Sequence, residues 1–210
     1  MCGMGLGYRI ATLDDLPALT DVMTTAFIAD PAWGPYSFPD DARREQQSSA
    51  FWEQALRAAL RFPWTLVTPG CEAAAVWIPP GEPEMTPGQE REMEALTERM
   101  LGPEQTAVVM DIFTRLEAVH PHDPPHFYLS LLGTHRDHRG GGIGMALLAE
   151  TLALIDAEGT PTYLESTNPA NDARYMRHGY RPVEQVTLAN GHRITTMWRD
   201  AAAPASAVSG

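Results

Sequence analysis

The sequence between residues 126 and 155 reads HFYLSLLG (126–133), THRDHR (134–139), GGGIG (140–144) and MALLAETLALI (145–155). The first segment predicts a buried strand, the third a glycine-rich turn and the last a helix. This order is typical of phosphate binding, because glycines let backbone N–H groups approach an anion and the helix N-terminus adds partial positive charge. Arg139 lies at the edge of the turn, and we expect its side chain to donate a charge-assisted hydrogen bond to that anion.

Two common phosphate-binding motifs do not fit this turn. A Walker loop ends in Gly-Lys-Ser/Thr, whereas residues 142–145 are Gly-Ile-Gly-Met. A dinucleotide fingerprint, G-x-G-x-x-G/A, fails in both possible frames. Its last position falls on Met145 when the motif starts at Gly140 and on Leu147 when it starts at Gly142.

The pattern that does fit is Arg-x-x-Gly-x-Gly, formed by Arg139, Gly142 and Gly144. It resembles the acetyl-CoA pyrophosphate loop of the GNAT N-acetyltransferases. Downstream, PTYLESTNPANDARYMRHGY (161–180) resembles the second half of the same core: a strand, a loop Asn, a short helix with a Tyr, then Gly-aromatic. In this segment, the end of the strand and the end of the helix look most like those of puromycin N-acetyltransferase and its actinobacterial relatives. The resemblance covers residues 126–182.

The resemblance implies the GNAT fold, an α+β architecture with an α/β/α sandwich. We expect a mixed, mostly antiparallel sheet of about seven strands, splayed between strands four and five, with helices inserted between strands three and four. The sequence pattern predicts strands at 8–11, 64–67, 73–78, 126–133, 162–165, 181–188 and 194–199, and helices at 13–27, 40–62, 89–101, 103–119, 145–155 and 171–178. Residues 1–200 are expected to form one domain and 201–210 a flexible tail.

Composition limits the function classes. The net charge of −12 argues against nucleic acid as a partner. An acidic surface either attracts a cationic amine or only keeps the protein soluble. No apolar run reaches about 18 residues and the N-terminus lacks a charged segment, so we expect no membrane span and a cytoplasmic protein. Cys2 and Cys71 are isolated, which indicates neither a zinc site nor a disulfide scaffold.

The resemblance assigns acetyl-CoA as co-substrate and places it along the fourth strand, the glycine loop and the loop after strand five. The residues concerned are Leu131, Leu132, Gly133, Thr134, Arg139, Gly140, Gly141, Gly142, Ile143, Gly144 and Asn171. A bulge near Leu132 or Gly133 would free a backbone N–H for the thioester carbonyl, although Gly133 could equally end the strand. Asn171 either contacts the pantetheine arm or caps a helix.

Two residues are the candidate acid and base. Tyr175 stands where the family places a tyrosine that protonates the leaving thiolate; the alternative is a core aromatic residue. Glu165 ends the fifth strand, where it could bind an ammonium group or take its proton, directly or through water; the alternative is a surface salt bridge. The family mechanism is direct attack by the amine in a ternary complex, which requires no enzyme nucleophile.

The acceptor site is expected to involve Trp33, Tyr36 and His126. Residues 32–39, a Pro/Gly loop with three aromatic side chains, form either a surface loop held by those side chains or a wall of the acceptor pocket. His120, His122 and His126 suggest a metal, but the intervening prolines hold them extended and no Cys or acidic cluster has ligand spacing, so no metal is expected.

These features predict an acetyl-CoA-dependent N-acetyltransferase acting on a primary amine of a small molecule, such as an antibiotic or another secondary metabolite. Two alternatives remain, a non-catalytic acyl-CoA-binding module and a protein amine acetyltransferase. The sequence does not distinguish a monomer from a homodimer.

Overall fold

The structure, a computed structural model, describes residues 7–202 and is built around a seven-stranded sheet. The strands are β1 (Arg9–Ile10), β2 (Thr65–Val67), β3 (Ala73–Ile78), β4 (Phe127–Thr134), β5 (Thr162–Ser166), β6 (Arg181–Thr187) and β7 (Arg193–Arg199). Their order in the sheet is β1-β2-β3-β4-β5-β7-β6. The β4–β5 pair is parallel and the other pairs are antiparallel.

Helices cover both faces of this sheet. They are α1 (Leu16–Phe27), α2 (Arg44–Ala59), α3 (Pro87–Leu101), α4 (Pro103–Glu117), α5 (Ile143–Ala157) and the short α6 (Asp172–Met176). The first four pack on one face around buried side chains such as Leu19, Phe51 and Val109. On the other face α5 packs through Leu147 and Ile155. The predicted α+β sandwich is therefore confirmed.

The two helices inserted between β3 and β4 start at clear local signals. Thr86 precedes α3, where its backbone N–H donates to Gln89 Oε1 (2.9 Å) and its hydroxyl accepts from the Gln89 N–H (3.3 Å), forming a capping box. Pro87 and Pro103 open α3 and α4, since the first helical turn tolerates a missing N–H. Gly102, with φ of 78°, separates the two helices.

The first two helices begin later than predicted. Residues Leu13–Asp15 form a 3-10 turn, closed by a hydrogen bond from the Thr12 N–H to the Asp15 carboxylate (2.8 Å). Leu13 is consequently 61% exposed instead of facing the core. Residues 40–43 are a turn, because Asp40 accepts from the Ala42 N–H (3.0 Å) and this local bond competes with helix formation.

The segment after β5 is also less helical than predicted. Residues Pro169–Asn171 form a 3-10 turn, and only Asp172–Met176 are α-helical. The turn has its own cap, because the Ala170 N–H donates to the Asn168 side chain (3.1 Å). Gly179, with φ of 89°, follows α6 in the left-handed conformation expected of a helix-ending glycine.

A bulge lies in β4, but not at Leu132 or Gly133 as predicted. Leu129 pairs with Trp77 and Leu131 with Val76, so Ser130 is the extra residue. One extra residue exchanges the two faces of a strand. Phe127 and Leu129 therefore pack on the α5 side, whereas Leu131 packs with α1–α4.

The glycine at position 133 is explained by close packing of a helix and not by a bulge. A Cβ there would lie 2.8 Å from Met23 Sδ and 3.1 Å from Ala26 Cβ, so this glycine allows α1 to approach β4 closely.

The sheet opens between β4 and β5, as predicted. The two strands pair only from Phe127–Thr162 to Leu129–Leu164, although β4 continues to Thr134. Beyond that point Glu165 and Ser166 pair with β7 alone. The predicted chain start and tail lie mostly in residues 1–6 and 203–210, outside the described part of the chain. Among the helices of residues 7–202, none is long and apolar enough to cross a membrane.

Candidate active site

The glycine loop presents accessible backbone at the start of α5. Gly140 and Gly142 have φ of 89° and 77°, and a Cβ at either position would meet nothing within 4 Å. Gly142 immediately precedes α5, whose first N–H groups lack partners within the helix. Gly144 lies so close to β4 that a Cβ would be 2.5 Å from Thr134 Oγ1. This arrangement leaves backbone N–H groups accessible to an anion such as a phosphate group.

Arg139 holds this loop against α1. Its Nη2 donates to the backbone carbonyls of Thr25 (2.6 Å) and Ala26 (2.9 Å), which belong to the last turn of α1. A cation there satisfies carbonyls that have no partner within the helix and interacts favourably with the helix dipole. The motif pattern predicted a contact with phosphate and gave no indication of this second function.

A cavity of about 190 Å³ lies in the opening between β4 and β5. Seven of the candidate site residues predicted from the sequence line it: Trp33, Leu131, Leu132, Arg139, Glu165, Asn171 and Tyr175. Gly133 and Thr134 are not part of its lining. Asn171 occupies the N-cap position of α6 without making a side-chain cap hydrogen bond, so its amide is not used in the manner of a helix cap.

The Tyr175 hydroxyl is the candidate acid in this cavity. Burial raises the pKa of Tyr175 above its ordinary value, and the charges of Asp30 and Asp172 raise it further. The ring lies 6.1 Å from that of Tyr180 in an edge-on arrangement. The phenol is therefore protonated at neutral pH and could donate its proton to a thiolate.

A second cavity, of about 970 Å³, extends under α2, α3 and α4. Aromatic and thioether side chains form much of its wall, including Trp33, Trp52, Met93 and Phe113. Six carboxylates also line it: Glu82, Glu84, Glu90, Glu94, Glu117 and Glu165. Within residues 7–202 no arginine contributes to this lining. The cavity is thus suited to a cation with an apolar body.

The three predicted acceptor residues do not share one position. Trp33 and His126 line the large cavity, and Trp33 lines the small one as well. Tyr36 lines neither, and its backbone carbonyl accepts a hydrogen bond from Gln105 Nε2 (2.8 Å). Residues 32–39 therefore contribute one cavity wall at Trp33, while Phe38 is fully buried in the core.

Glu165 lies where the two cavities meet, and it lines both. Its side chain is only 4% exposed, so it does not form a surface salt bridge. His120 Nδ1 is 3.6 Å from Glu165 Oε1. The hydroxyls of Tyr128 and Tyr163 lie nearby: burial raises the pKa of both, and the Glu165 charge raises each further.

Glu84 is a second carboxyl at this junction that sequence reasoning missed. Ser130, the bulge residue, donates a hydrogen bond to Glu84 Oε1. Burial raises the pKa of Glu84; the Ser130 bond opposes this, and the charge of Glu165 adds to it. Arg61 donates to the Glu84 backbone carbonyl (2.8 Å), which fixes the loop. The available signal was Ser130, a polar residue inside an apolar strand.

Asp30 closes the opposite side of the junction. Its Oδ1 accepts from the backbone N–H groups of Ala32 (2.9 Å) and Trp33 (3.0 Å), and its Oδ2 accepts from Thr167 Oγ1 (2.8 Å). From sequence, the Asp30-Pro31 pair indicated only the end of a helix. Across the described residues, no group of three or more His, Cys, Asp or Glu side chains is arranged to hold a metal ion.

Comparisons with known proteins agree with this fold. The family model described as an acetyltransferase (GNAT) domain matches residues 81–200. A Corynebacterium glutamicum protein described as histone acetyltransferase HPA2 and related acetyltransferase is 22% identical, with a TM-score of 0.62 over 94% of this chain and 97% of that chain. Arylalkylamine N-acetyltransferase 2 from Aedes aegypti is 11% identical, with a TM-score of 0.68 over 93% and 99%.

The polyamine N-acetyltransferase of Drosophila melanogaster has the same fold, with 15% identity and a TM-score of 0.58 over 92% of this chain and 99% of that chain. At such identities the structural likeness concerns the fold, whereas the family model covers more than half of the sequence. The chain belongs to the GNAT acetyltransferase family.

Proposed function

We propose that this protein is an acetyl-CoA-dependent N-acetyltransferase that acetylates a primary amine of a small molecule by direct attack in a ternary complex. The observation that carries the proposal is that the small cavity in the β4–β5 opening and the large acidic cavity share five lining residues: Trp33, Ser130, Leu131, Glu165 and Thr167. An acyl donor in the first and an amine in the second would meet there, in the orientation that direct transfer requires.

The glycine loop would hold the acyl donor. Backbone N–H groups around Gly142 and at the start of α5 would bind its pyrophosphate. Asn171, Leu131 and Leu132 line the small cavity and would contact the pantetheine arm. When bound, acetyl-CoA supplies an activated thioester. The remaining chemistry belongs to side chains of this protein.

Glu165 and Tyr175 would move the two protons of the reaction. Glu165 accepts one proton from the acceptor ammonium, which leaves a neutral amine that can attack the thioester carbonyl. A C–N bond forms and the C–S bond breaks. Tyr175 donates its phenolic proton to the leaving sulfur and is reprotonated by the proton lost from nitrogen, so the products are an amide, a thiol and one proton released to solvent.

The acceptor is a cation without a carboxylate, because six carboxylates line the large cavity and would repel an anionic group. A small molecule fits better than a protein segment, since α3 and α4 cover the cavity. The solved arylalkylamine and polyamine enzymes of similar fold, and the resemblance of residues 161–180 to puromycin N-acetyltransferase, all support an amine acceptor.

The test is release of free thiol from acetyl-CoA in the presence of an amine panel. The panel includes puromycin and other aminonucleosides, arylalkylamines, polyamines and, as amines that carry a carboxylate, α-amino acids. We expect release that depends on one of the cationic classes and is absent with the amino acids. Release only with amino acids or with peptide N-termini would overturn the proposed acceptor class.

Binding is measured alongside turnover. We expect acetyl-CoA to raise the melting temperature, since a ligand that binds only the folded state stabilises it. A thermal shift without release from any amine would instead indicate a non-catalytic acyl-CoA-binding module. Neither a shift nor release would contradict the assignment of residues 139–144.

A further inference from the structure

We infer that His120 carries the acceptor proton from Glu165 to solvent; this inference rests on the proposed N-acetyltransferase function. The sequence drew attention to His120 only through its neighbours His122 and His126, as a metal-like pattern. The structure instead places it in a chain of polar contacts that starts at a backbone carbonyl and ends at Glu165.

The chain of contacts sets the tautomer of each ring. His126 Nδ1 lies 2.9 Å from the Pro124 carbonyl, and a carbonyl can only accept, so His126 Nδ1 carries the hydrogen. In the neutral ring, His126 Nε2 is then an acceptor. It lies 3.2 Å from His120 Nε2, which must therefore donate. The remaining nitrogen of His120, Nδ1, faces Glu165.

The order of these contacts leaves one nitrogen of His120 free to accept a proton. With Nε2 occupied by hydrogen, a neutral His120 presents a lone pair at Nδ1, 3.6 Å from Glu165 Oε1. Two lone pairs facing each other repel, and a proton between them removes the repulsion. A proton taken up by Glu165 can therefore pass to His120 Nδ1 along this contact. The separation is within ion-pair range and slightly longer than a hydrogen bond.

The difference in solvent exposure between Glu165 and His120 gives the proposed proton path a direction. The Glu165 side chain is 4% exposed and that of His120 is 22% exposed, so His120 connects the buried carboxylate with solvent. His126 is buried and acts through His120 by fixing its tautomer. The two histidine rings lie 5.2 Å apart between centroids. His120 thus provides an outlet that Glu165 lacks.

Several aromatic and titratable side chains surround His120. The rings of Tyr128 (5.0 Å between centroids) and Tyr163 (4.7 Å) pack edge-on against it from β4 and β5. Besides these tyrosines and Glu165, the titratable groups around the cluster are Glu84 after β3, Glu117 at the end of α4, and His122 and His126 in the loop before β4. Carboxylates and histidines therefore both surround His120 in this cluster.

The proton transfer balances without another reactant. The acceptor R–NH₃⁺ loses H⁺ to the Glu165 carboxylate, which passes it to His120 Nδ1. The resulting imidazolium releases the proton to solvent after the C–N bond has formed. No electron is transferred, and the enzyme returns to its starting protonation state.

The test uses His120→Gln in the complete chain with the acceptor identified by thiol release. Glutamine keeps an N–H donor for His126 but cannot take up a proton. We expect kcat/KM for the amine to fall about 10–100-fold near pH 7. The defect should shrink as the pH approaches about 10, where an aliphatic amine is neutral in solution. A purely structural role would lower activity equally at all pH values.

Two further variants make the result specific. In His120→Ala, imidazole added to the buffer should restore activity, whereas it should restore none in Tyr175→Phe. Asp123→Asn is the control, because this side chain is exposed on the same loop, lines neither cavity and is not in the contact chain. We expect its activity to stay within about two-fold of wild type, since surface substitutions away from special features have small effects. A His120→Gln defect that does not vary with pH, or the absence of imidazole rescue, would overturn the inference.

A measurement on the wild-type protein keeps the inference testable if the variants do not fold. Two-bond ¹H–¹⁵N NMR of the histidine rings should show His126 protonated at Nδ1 and His120 protonated at Nε2. The opposite tautomers would overturn the inference, whatever the kinetics. If the wild-type protein releases no thiol with any amine, the proposed function itself fails, and that outcome is distinct from a normal pH profile in His120→Gln.

Discussion

Thr167 donates a 2.8 Å hydrogen bond to the carboxylate of Asp30, joining two segments that are 137 residues apart in sequence. Asp30 follows α1, and Thr167 follows β5. Both residues line the small cavity, and Thr167 lines the large one as well. The bond therefore fixes the distance between two walls of the candidate site at the point where the sheet opens.

Replacing Thr167 by Val should loosen this junction. We expect a loss of about 0.5–1.5 kcal/mol in the free energy of unfolding, the usual net value of one hydrogen bond, together with a several-fold drop in kcat. Thr167→Ser keeps the hydroxyl and should stay near wild type. Urea unfolding and steady-state kinetics measure both effects. Equal behaviour of the Val and Ser variants would show that the Asp30 bond does not contribute.

Gly142→Asp should weaken acetyl-CoA binding by about tenfold or more, equivalent to about 1.4 kcal/mol, because a carboxylate at the loop repels pyrophosphate. Gly142 has φ of 77°, and Asn is the neutral residue of the same shape that tolerates this conformation. Gly142→Asn is therefore the control for backbone strain. Calorimetric titration with acetyl-CoA compares the two, and matching affinities would show that the phosphates bind elsewhere.

Tyr175→Phe should lower kcat by about 10–1000-fold with little change in acetyl-CoA affinity, since it removes only a proton donor. A general acid must be protonated, and burial raises the pKa of Tyr175 above its ordinary value. Titration of this group should therefore cause no loss of wild-type activity below about pH 10. The kcat–pH profile of both proteins checks this, and unchanged kcat in the variant would remove Tyr175 from the mechanism.

Glu84→Gln tests the second carboxyl. Burial raises the pKa of Glu84 in the folded protein, so its ionised form destabilises the fold. That penalty is absent below the unfolded-state pKa of about 4.3, grows as the pH rises toward the folded value and is complete above it. The Gln variant should thus melt at a higher temperature than wild type at pH 8, and this gain should diminish toward pH 4.

The same substitution should weaken acceptor binding. Glutamine can still accept from Ser130 but has no charge for a cationic amine, so we expect KM for the acceptor to rise about tenfold or more. Glu82→Gln, at an exposed position of the same loop, provides the comparison for a general change in charge. If both variants raised KM equally, the effect would come from the overall field of the cavity and not from Glu84.

Gly133→Ala should cost about 1–3 kcal/mol of stability, the usual range for an overpacked site. Its Cβ would approach Met23 Sδ to 2.8 Å, and α1 would have to move away from β4. Gly88→Ala in the first turn of α3 is the control, because its Cβ would meet nothing closer than 3.8 Å. Thermal unfolding should show a loss only for Gly133→Ala.

The sequence predicted most of the architecture because local patterns and global fold agree. The unbroken apolar strands and the glycine loop before α5 each have one compatible structure, and β3 has the predicted bounds at Ala73–Ile78. The starts of α1 and α2 were missed because Asp15 and Asp40 form local hydrogen bonds that compete with the first helical turn.

The site was only partly predictable, for a different reason. Tyr175 and Glu165 stand in motif-like segments. The patterns around Glu84 and Asp30 indicate only a loop and a helix end, and the pattern around His120 suggested only a metal. Glu84 and His120 line the large cavity and Asp30 lines the small one, and these two cavities meet at the bulge residue Ser130. Contacts of this kind depend on tertiary geometry, which no local pattern encodes.

The bulge at Ser130 gives one strand two independent design regions. Before it, Tyr128 lines only the large cavity, and after it Leu132 lines only the small one, whereas Leu131 lines both. Substitutions at Tyr128 could therefore retune the choice of amine while the donor-binding half of the strand is left untouched. Deleting Ser130 would transfer the inward-facing side chains of one half to the outside and disrupt both binding sites together. Engineering of this protein can change Tyr128 and Leu132 separately, but it must keep the residue count of β4 fixed.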